Sequence, residues 1–222
     1  MNIQEQSKIL MNNTEYGDEK LKINMQKELE KKLSEGRPLN IYCGYDPTAV
    51  DLTLGHIITM RKLREFQELG HNVTFLIGGF TGLIGDPSDK DKKRPMLSQE
   101  QLKNNAKEYT RQAYKILDPR LTTIRSNEEW LENLSSKEFI RLCSKFTVAQ
   151  FLERDNFSKR WKSNDAIYLS EFLYALMQGY DAVKLASDVQ VGGSDQLFNL
   201  MAGRILQREF NQDPQVVMTL PI

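Results

Sequence analysis

The amino-acid sequence predicts an α/β protein that consists of a parallel sheet and an inserted helical region. Short apolar runs typical of strands alternate with amphipathic stretches typical of helices. This alternation favours a parallel sheet with right-handed crossovers. Apolar residues make up 40% of the 222 residues, which is sufficient for a sizeable core and excludes long disorder.

The first helix is predicted from its periodicity and the strands from short apolar runs. Leucine and methionine recur every four residues from Leu21 to Leu33, so residues 19–34 are predicted to be helical. We therefore assign residues 1–36 to an N-terminal helical segment and residues 37–222 to the main domain. The five predicted strands are 39–43, 73–77, 121–125, 189–191 and 215–219.

The remaining helices are predicted from amphipathic spacing and from capping boxes. A serine followed three residues later by Glu or Gln marks a helix start at Ser98, Ser126 and Ser135. The mostly helical stretch 127–180 separates the first three strands from the last two, so we expect an insertion between two halves of the sheet. The predicted helices after the first are 56–69, 98–117, 127–133, 136–146, 147–153, 166–180 and 195–209.

Composition and charge exclude several classes of protein. The 30 basic and 30 acidic side chains give no basic excess of the kind that bulk nucleic-acid binders show, although a local basic patch is compatible with it. No apolar run approaches the roughly 18 residues of a membrane helix, so we expect no membrane partner. Cys43 and Cys143 form no disulfide framework and the N-terminus lacks a signal peptide, which together favour a cytoplasmic location. The two histidines cannot build a zinc site by themselves, and no metal ligands are assigned.

The first candidate site lies where the first strand passes through a turn into a helix. Residues 42–48 end the strand, and Gly55 and His56 open the helix. Ligands of parallel sheets bind at the carboxyl ends of strands, and a helix N-terminus there attracts phosphate. Gly55 would leave room for a nucleotide, and His56 could donate to a phosphate. A plain helix start with a half-buried histidine explains the same pattern.

The second candidate is the glycine-rich stretch 78–87, which also follows a strand. It matches neither a G-x-G-x-x-G fingerprint nor a Walker loop. Asp86 could pair with an ammonium group, and the basic residues at 90–94 could close over pyrophosphate. A flexible loop with a solvated charge run is the alternative interpretation.

The third candidate is a polar face on the helix predicted near residue 174. Tyr174, Gln178 and Asp181 share that face at spacings of four and three. Polar side chains among apolar neighbours indicate a lined pocket, although an exposed polar stripe fits the spacing as well.

The fourth candidate repeats the strand, glycine turn and helix start of the first. Here Asp195 could hold ribose hydroxyls, and Gln196 could bond a carboxylate or a phosphate. An ordinary strand-to-helix turn with Ser194 or Asp195 as the N-cap is the alternative.

Taken together, the four stretches resemble the bacterial tyrosyl-tRNA synthetases, which are class I aminoacyl-tRNA synthetases. The resemblance runs from about residue 37 to the end, in the expected order and spacing. It implies a Rossmann-type nucleotide-binding catalytic domain over 37–222 with a helical, dimer-forming insertion at about 127–180. It also implies that tyrosine and ATP react to tyrosyl-adenylate, with Mg²⁺ on the phosphates, and that the tyrosyl group is then transferred to tRNA(Tyr). A homodimer is the implied assembly.

The resemblance also implies roles for individual residues. The implied substrate residues are Tyr42 and Asp181 at the phenol hydroxyl, Asp86, Tyr174 and Gln178 at the ammonium group, and Asp46 and Gln190 in support of the pocket. The implied nucleotide residues are Cys43, Gly55, Thr59, Gly193 and Asp195. The implied catalytic residues are Thr48 and His56 at the γ-phosphate, Gln196 near the reacting carboxylate, and Lys90 and Arg94 as cations that neutralise pyrophosphate.

The sequence departs from the family pattern at two places. Thr53 stands where the first family motif usually has histidine, and threonine cannot become cationic. The lysine-bearing KMSKS loop and the anticodon-binding domains are expected beyond Ile222, so the chain resembles a catalytic-domain fragment. We therefore expect substrate binding to survive and adenylate formation to be impaired.

Two other functions remain open at this point. A tryptophanyl-tRNA synthetase has a related fold, but an indole needs no acceptor for a phenol hydroxyl, which argues for tyrosine. A non-catalytic tyrosine- or nucleotide-binding module is the other alternative. The apolar side chains at about 127–160 suit a dimer interface or an ordinary core equally well.

Overall fold

A five-stranded parallel sheet forms the centre of the structure. The computed structural model of the protein describes residues 1–86 and 97–222. The strands are β1 (Asn40–Tyr45), β2 (Asn72–Ile77), β3 (Thr122–Ser126), β4 (Val189–Gly193) and β5 (Val216–Leu220). Their order across the sheet is β3-β2-β1-β4-β5, and every neighbouring pair is parallel. The α/β fold with a parallel sheet is therefore confirmed.

The strand order changes direction between β1 and β4. The chain adds β2 and β3 on one side of β1, and it then returns to place β4 and β5 on the other side. Crossovers on the two sides leave a crevice at the carboxyl ends of β1 and β4, and such switch points are where open α/β sheets bind ligands.

Helices cover both faces of the sheet. They are α1 (Ile3–Leu10), α2 (Glu19–Leu33), α3 (Leu54–Glu68), α4 (Thr81–Ile84), α5 (Gln99–Ala113), α6 (Glu128–Leu131), α7 (Ser136–Cys143), α8 (Val148–Leu152), α9 (Asp155–Lys162), α10 (Leu169–Lys184) and α11 (Leu197–Glu209). The sequence prediction lacked α1, α4 and α9, which are short. For α1 a signal was present, since Asn2 and Glu5 form a capping box at its start.

Several predicted boundaries shift for local reasons. Helix α10 continues to Lys184, four residues beyond its predicted end, and Gly179 within it allows α11 to approach closely. A Cβ at that position would lie 3.1 Å from the Ala202 carbonyl carbon. Strand β1 extends to Tyr45, whose ring stacks on Phe75 with ring centroids 4.4 Å apart. Helix α5 ends at Ala113, four residues earlier than predicted.

Two of the three predicted capping boxes are confirmed. Ser98 and Ser135 cap α5 and α7, each with its glutamine or glutamate partner. At the third, Asn127 is the N-cap and α6 is a single turn, although the Ser126 amide still donates to Glu129 at 3.0 Å.

The N-terminal segment shares its core with the sheet. Leu10 and Leu29 are fully buried in the same cluster as the side chains of β1, β2 and β5. The Tyr16 hydroxyl donates to the Val217 carbonyl at 2.7 Å, and the Glu15 amide donates to the Thr219 carbonyl at 2.8 Å. Residues 15 and 16 thereby cover the outer edge of β5.

The chain between β3 and β4 packs on the opposite face of the sheet. Helices α6 to α10 bury a second apolar cluster that includes Trp130, Leu142, Phe151 and Phe157. Among the described ranges, no helix is both long enough and apolar enough to cross a membrane.

A buried ionic cluster connects the N-terminal segment to the start of β4. The Asp188 carboxylate accepts hydrogen bonds from Arg37 at 2.7 and 2.8 Å, from Lys32 at 3.2 Å and from the Asn40 amide at 2.9 Å. Burial works to raise the pKa of Asp188, but these donors outweigh it and hold the pKa below its usual range. Because the folded pKa is depressed, this stabilisation is present above the unfolded pKa and is lost as the pH falls through the folded pKa.

We predict that Asp188→Ala lowers the free energy of unfolding by about 3 kcal/mol, because it leaves the buried Lys32 ammonium group without its carboxylate. Urea unfolding near neutral pH measures the change. Glu68→Ala is the matched control, since it removes an exposed carboxylate paired with Arg64 and should cost less than about 0.5 kcal/mol. Equal losses for the two variants would show that the cluster does not stabilise the fold.

Candidate active site

A cavity of about 440 Å³ opens at the carboxyl ends of β1 and β4. Its walls come from the ends of these strands, from the residues that follow β2 and β3, from the start of α3 and from one face of α10. The cavity therefore lies at the switch point of the sheet, at the carboxyl ends of strands, where the sequence motifs predicted a site.

The predicted site residues that lie in the described part of the chain line this cavity, with the exception of Tyr42. They are Cys43, Asp46, Thr48, Gly55, His56, Thr59, Asp86, Tyr174, Gln178, Asp181, Gln190, Gly193, Asp195 and Gln196. Lys90 and Arg94 fall within 87–96, outside the described residues. The four sequence motifs thus converge on one site.

A carboxylate at the end of β1 connects two walls of the cavity. The Asp46 carboxylate accepts from the Tyr174 hydroxyl at 2.9 Å and from the Thr81 hydroxyl at 2.7 Å. Gly78 allows this arrangement, because a Cβ there would lie 1.9 Å from Asp46 Oδ1. The Tyr174 hydroxyl is therefore held on the cavity wall by the Asp46 carboxylate that accepts its hydrogen bond.

Asp181 places a second carboxylate deep in the same cavity. Its side chain is 2% exposed, and it accepts from Trp130 Nε1 at 2.8 Å and from Asn127 Nδ2 at 3.3 Å. Burial raises the pKa of Asp181 to about 8, while these two donors pull in the opposite direction and the Asp46 charge adds to the rise. The group is therefore an acceptor held in position by the protein, with a titration close to neutral pH.

Tyr42 stands behind the cavity wall and not in it. Its ring is 1% exposed, in the apolar cluster that also holds Leu76. Its hydroxyl is sealed from solvent and has no hydrogen-bond partner among the described residues. Burial raises the pKa of this phenol well above its ordinary value, the Asp181 charge adds to the rise, and the Gln215 side chain opposes it.

Two glutamines differ in how their side chains are satisfied. Gln178 Oε1 is buried without a partner in the described part of the chain, and it lies on the cavity wall. Gln190 Oε1 accepts from the Gln215 amide, which is part of a buried network behind β4. Gln178 thus has an unpaired buried acceptor, whereas the Gln190 side chain is paired within the core.

Gln196 connects two further carboxylates, those of Asp86 and Asp195, at the cavity rim. Its Nε2 donates to Asp86 at 2.6 Å and to Asp195 at 2.6 Å. The resemblance assigned Asp86 to the ammonium group of tyrosine and Asp195 to the nucleotide. The structure brings both carboxylates to one amide.

The start of α3 carries the groups predicted to meet phosphate and ribose. The Thr59 hydroxyl bonds the Tyr45 hydroxyl at 2.9 Å and donates to the His56 carbonyl at 2.9 Å, so it is engaged within the protein. Burial raises the pKa of the Cys43 thiol to about 11, which keeps the thiol protonated near neutral pH. A Cβ on Gly55 would lie 2.7 Å from Ile222 Cγ2, so a side chain packs where the sequence suggested open room.

Three residues that complete the site were missed in the sequence. Thr81 and Asn127 line the cavity, and Trp130 reaches Asp181 from behind. Asn127 immediately follows β3, so the rule that places ligands at the carboxyl ends of parallel strands was available for it. In the described part of the chain, no group of three or more His, Cys, Asp or Glu side chains is arranged to hold a metal ion.

Comparison with known proteins agrees with this geometry. Residues 34–222 match the family described as tRNA synthetases class I (W and Y). The tyrosine–tRNA ligase of Oleidesulfovibrio alaskensis is 53% identical over 214 residues, which is 96% of this chain and 52% of that protein. The tyrosine–tRNA ligase of Aquifex aeolicus is 54% identical over 197 residues, which is 89% of this chain and 50% of that protein.

A solved structure shows the same fold. The tyrosyl-tRNA synthetase from Archaeoglobus fulgidus, complexed with L-tyrosine, superposes with a TM-score of 0.77 at 20% identity, over 100% of this chain and 64% of that chain. The chain spans about half the length of the curated relatives that it matches. With 189 of its residues inside the family match, the chain belongs to the class I tRNA synthetases of the W and Y group.

Proposed function

We propose that this chain forms the catalytic domain of a tyrosine–tRNA ligase. In this proposal the domain activates tyrosine with ATP to tyrosyl-adenylate, and the tyrosyl group then passes to tRNA(Tyr). The observation that carries the choice of tyrosine is the buried Asp181 carboxylate, which Trp130 and Asn127 hold at the cavity floor. The ligase relatives at 53% and 54% identity support the reaction class.

The cavity floor has the chemistry of a phenol site. An ionised Asp181 accepts and cannot donate, so it favours a ring that carries an O–H. Tyr42 lies behind the cavity wall, so the Asp181 carboxylate is the group that a ligand hydroxyl would meet. A phenylalanine ring would leave this carboxylate without the donor that a phenol supplies, which costs about 1–3 kcal/mol.

The cavity wall suits the ammonium group of an amino acid. Asp46 and Asp86 supply negative charge, while the Tyr174 hydroxyl and Gln178 Oε1 supply oxygen atoms. An ammonium group presents three donors and no acceptor, so this wall fits its needs.

The opposite end of the cavity would take the nucleotide. The N-terminus of α3 directs its positive dipole end at the site, and His56 and Thr48 lie beside it. In the proposed step the tyrosine carboxylate attacks the α-phosphorus, and the bond to pyrophosphate breaks. No covalent intermediate on the enzyme is needed, so the protein contributes positioning and charge stabilisation.

Mg²⁺ would enter with the ATP phosphates. This ion keeps several waters and takes one or two carboxylates together with phosphate oxygens, so it needs no cage made of protein alone. Asp86 and Asp195 at the cavity rim have the oxygen ligands that it prefers. When bound, the ion would supply positive charge on the phosphates.

Other parts of the proposal concern assembly and location. The region between β3 and β4 exposes large apolar side chains, namely Ile140, Val148, Trp161 and Leu169, which supports a homodimer contact there. Cys43 and Cys143 are both free thiols, which supports a cytoplasmic location.

The alternative amino acid is tryptophan, since the family includes both specificities. An indole offers one N–H donor and is larger than a phenol. Comparing the affinities for tyrosine and tryptophan therefore distinguishes the two ligase functions. A site that binds nucleotide but neither amino acid would indicate a non-catalytic module.

We predict that tyrosine binds at least about tenfold more tightly than phenylalanine, and that Asp181→Ala reduces the difference to less than about threefold. Calorimetric titration with tyrosine, phenylalanine and tryptophan measures this. Asp213→Ala is the control, because its carboxylate is exposed and outside the cavity. A variant at Asp181 that kept the full preference, or tighter binding of tryptophan, would contradict the assignment.

We predict that tyrosine affinity falls as the pH is lowered from 8 to 6, by up to about tenfold per pH unit. The sign follows because the pKa of Asp181 is raised to about 8, so acid protonates the carboxylate that must accept from the phenol. Asp181→Asn cannot titrate and should show a flat profile. A pH-independent affinity in the unmodified protein would show that binding of the ligand hydroxyl does not depend on the Asp181 carboxylate.

We predict that His56→Ala weakens a non-hydrolysable ATP analogue by about tenfold and leaves the affinity for tyrosine unchanged within about twofold. The reason is that His56 lies at the α3 end of the cavity, away from Asp181 on α10. Equal weakening of both ligands would place His56 in the amino-acid pocket instead.

A further inference from the structure

His56 is one of two histidines in the chain, and its ring is held from two sides. The ring lies between Tyr45 of β1 and Tyr109 of α5, with centroid separations of 5.9 and 5.8 Å. Its Nδ1 accepts from the Thr53 amide at 2.9 Å, and the Thr53 hydroxyl lies 2.9 Å from the same atom. These contacts fix the orientation of the imidazole at the first turn of α3.

A backbone amide can only donate, and this settles the state of the ring. If Nδ1 carried a proton, two N–H groups would face each other at 2.9 Å. The proton of the neutral ring therefore sits on Nε2. That atom has no partner among the described residues, and it is not one of the buried atoms sealed from solvent.

We propose that Thr53 is a positioning residue whose backbone N–H holds His56 as the neutral Nε2–H tautomer, so that the imidazole presents one uncharged donor to the cavity. The part of this inference that concerns phosphate rests on the proposed function, whereas the tautomer itself does not. Burial lowers the pKa of His56, which agrees with a neutral ring. The titratable side chains that contact its ring are Tyr45 and Tyr109, and no described ion pair involves the ring.

The inference also explains why threonine is acceptable where the resemblance leads one to expect histidine. The donor that matters is the peptide N–H, which every residue except proline supplies. The Thr53 amide makes no other hydrogen bond in the described part of the chain. A proline there would remove this contact together with those of the Thr53 hydroxyl, whereas an alanine would remove only those of the hydroxyl.

Nitrogen-15 NMR of the full chain labelled at histidine tests the proposal, because only His56 and His71 contribute ring signals. His71 is an internal reference: its Nδ1 accepts from the Leu39 amide at 3.2 Å, far from Thr53 in the sequence. We expect His56 to favour Nε2–H over Nδ1–H by at least about fivefold. Thr53→Ala should keep that ratio, and Thr53→Pro should reduce it by about fivefold while the His71 signals stay unchanged.

Three results would overturn the proposal. The first is an Nδ1–H or doubly protonated His56 ring at pH 7 in the unmodified protein, which needs no variant to fold. The second is loss of the preference in Thr53→Ala, which would assign the effect to the hydroxyl. The third is an unchanged ratio in a folded Thr53→Pro. Failure of tyrosine binding would leave these spectra unaffected, so the two proposals fail separately.

Discussion

Parallel pairing of β1 with strands on both of its sides is the constraint on which the rest of the structure depends. Because β1 pairs with β2 on one side and with β4 on the other, the crossovers diverge and leave the cavity between them. The carboxyl ends of all five strands then face one edge of the sheet. Residues far apart in the chain, such as Asp46 after β1 and Gln190 on β4, meet there because their strands are paired.

The polar interior of the cavity follows from how its two carboxylates, the half-buried Asp46 and the buried Asp181, are satisfied. Asp46 and Asp181 are joined through Thr81 and Asn127, since the Asn127 amide bonds both the Thr81 hydroxyl and Asp181. Buried carboxylates are tolerated when donors surround them, and here the donors come from three different elements. The specificity that we assign to Asp181 thus depends on this network. Trp130 contributes to the network through its bond to Asp181, although it does not line the cavity.

Features that depend on local sequence pattern could be predicted, whereas the burial of individual side chains below the cavity surface could not. Strand identity and the convergence of the four motifs could be predicted, because alternation fixes a parallel sheet and a parallel sheet fixes one binding edge. The position of Tyr42 could not, since the side-chain period of β1 gives a face but not a distance from the strand end. The close packing at Gly179 could not be predicted either, because a glycine within a helical pattern does not show which neighbouring helix it admits.

The backbone contacts of Glu15 and Tyr16 with β5 have a consequence for the behaviour of the chain in solution. Strand β5 is at the margin of the sheet, and its sequence, VVMTL, combines high β-propensity with no charge. Such a margin, if bare, is a template on which another molecule can add its own strand, the first step of ordered aggregation. By occupying the carbonyls of Val217 and Thr219, the N-terminal segment acts as a guard against self-association.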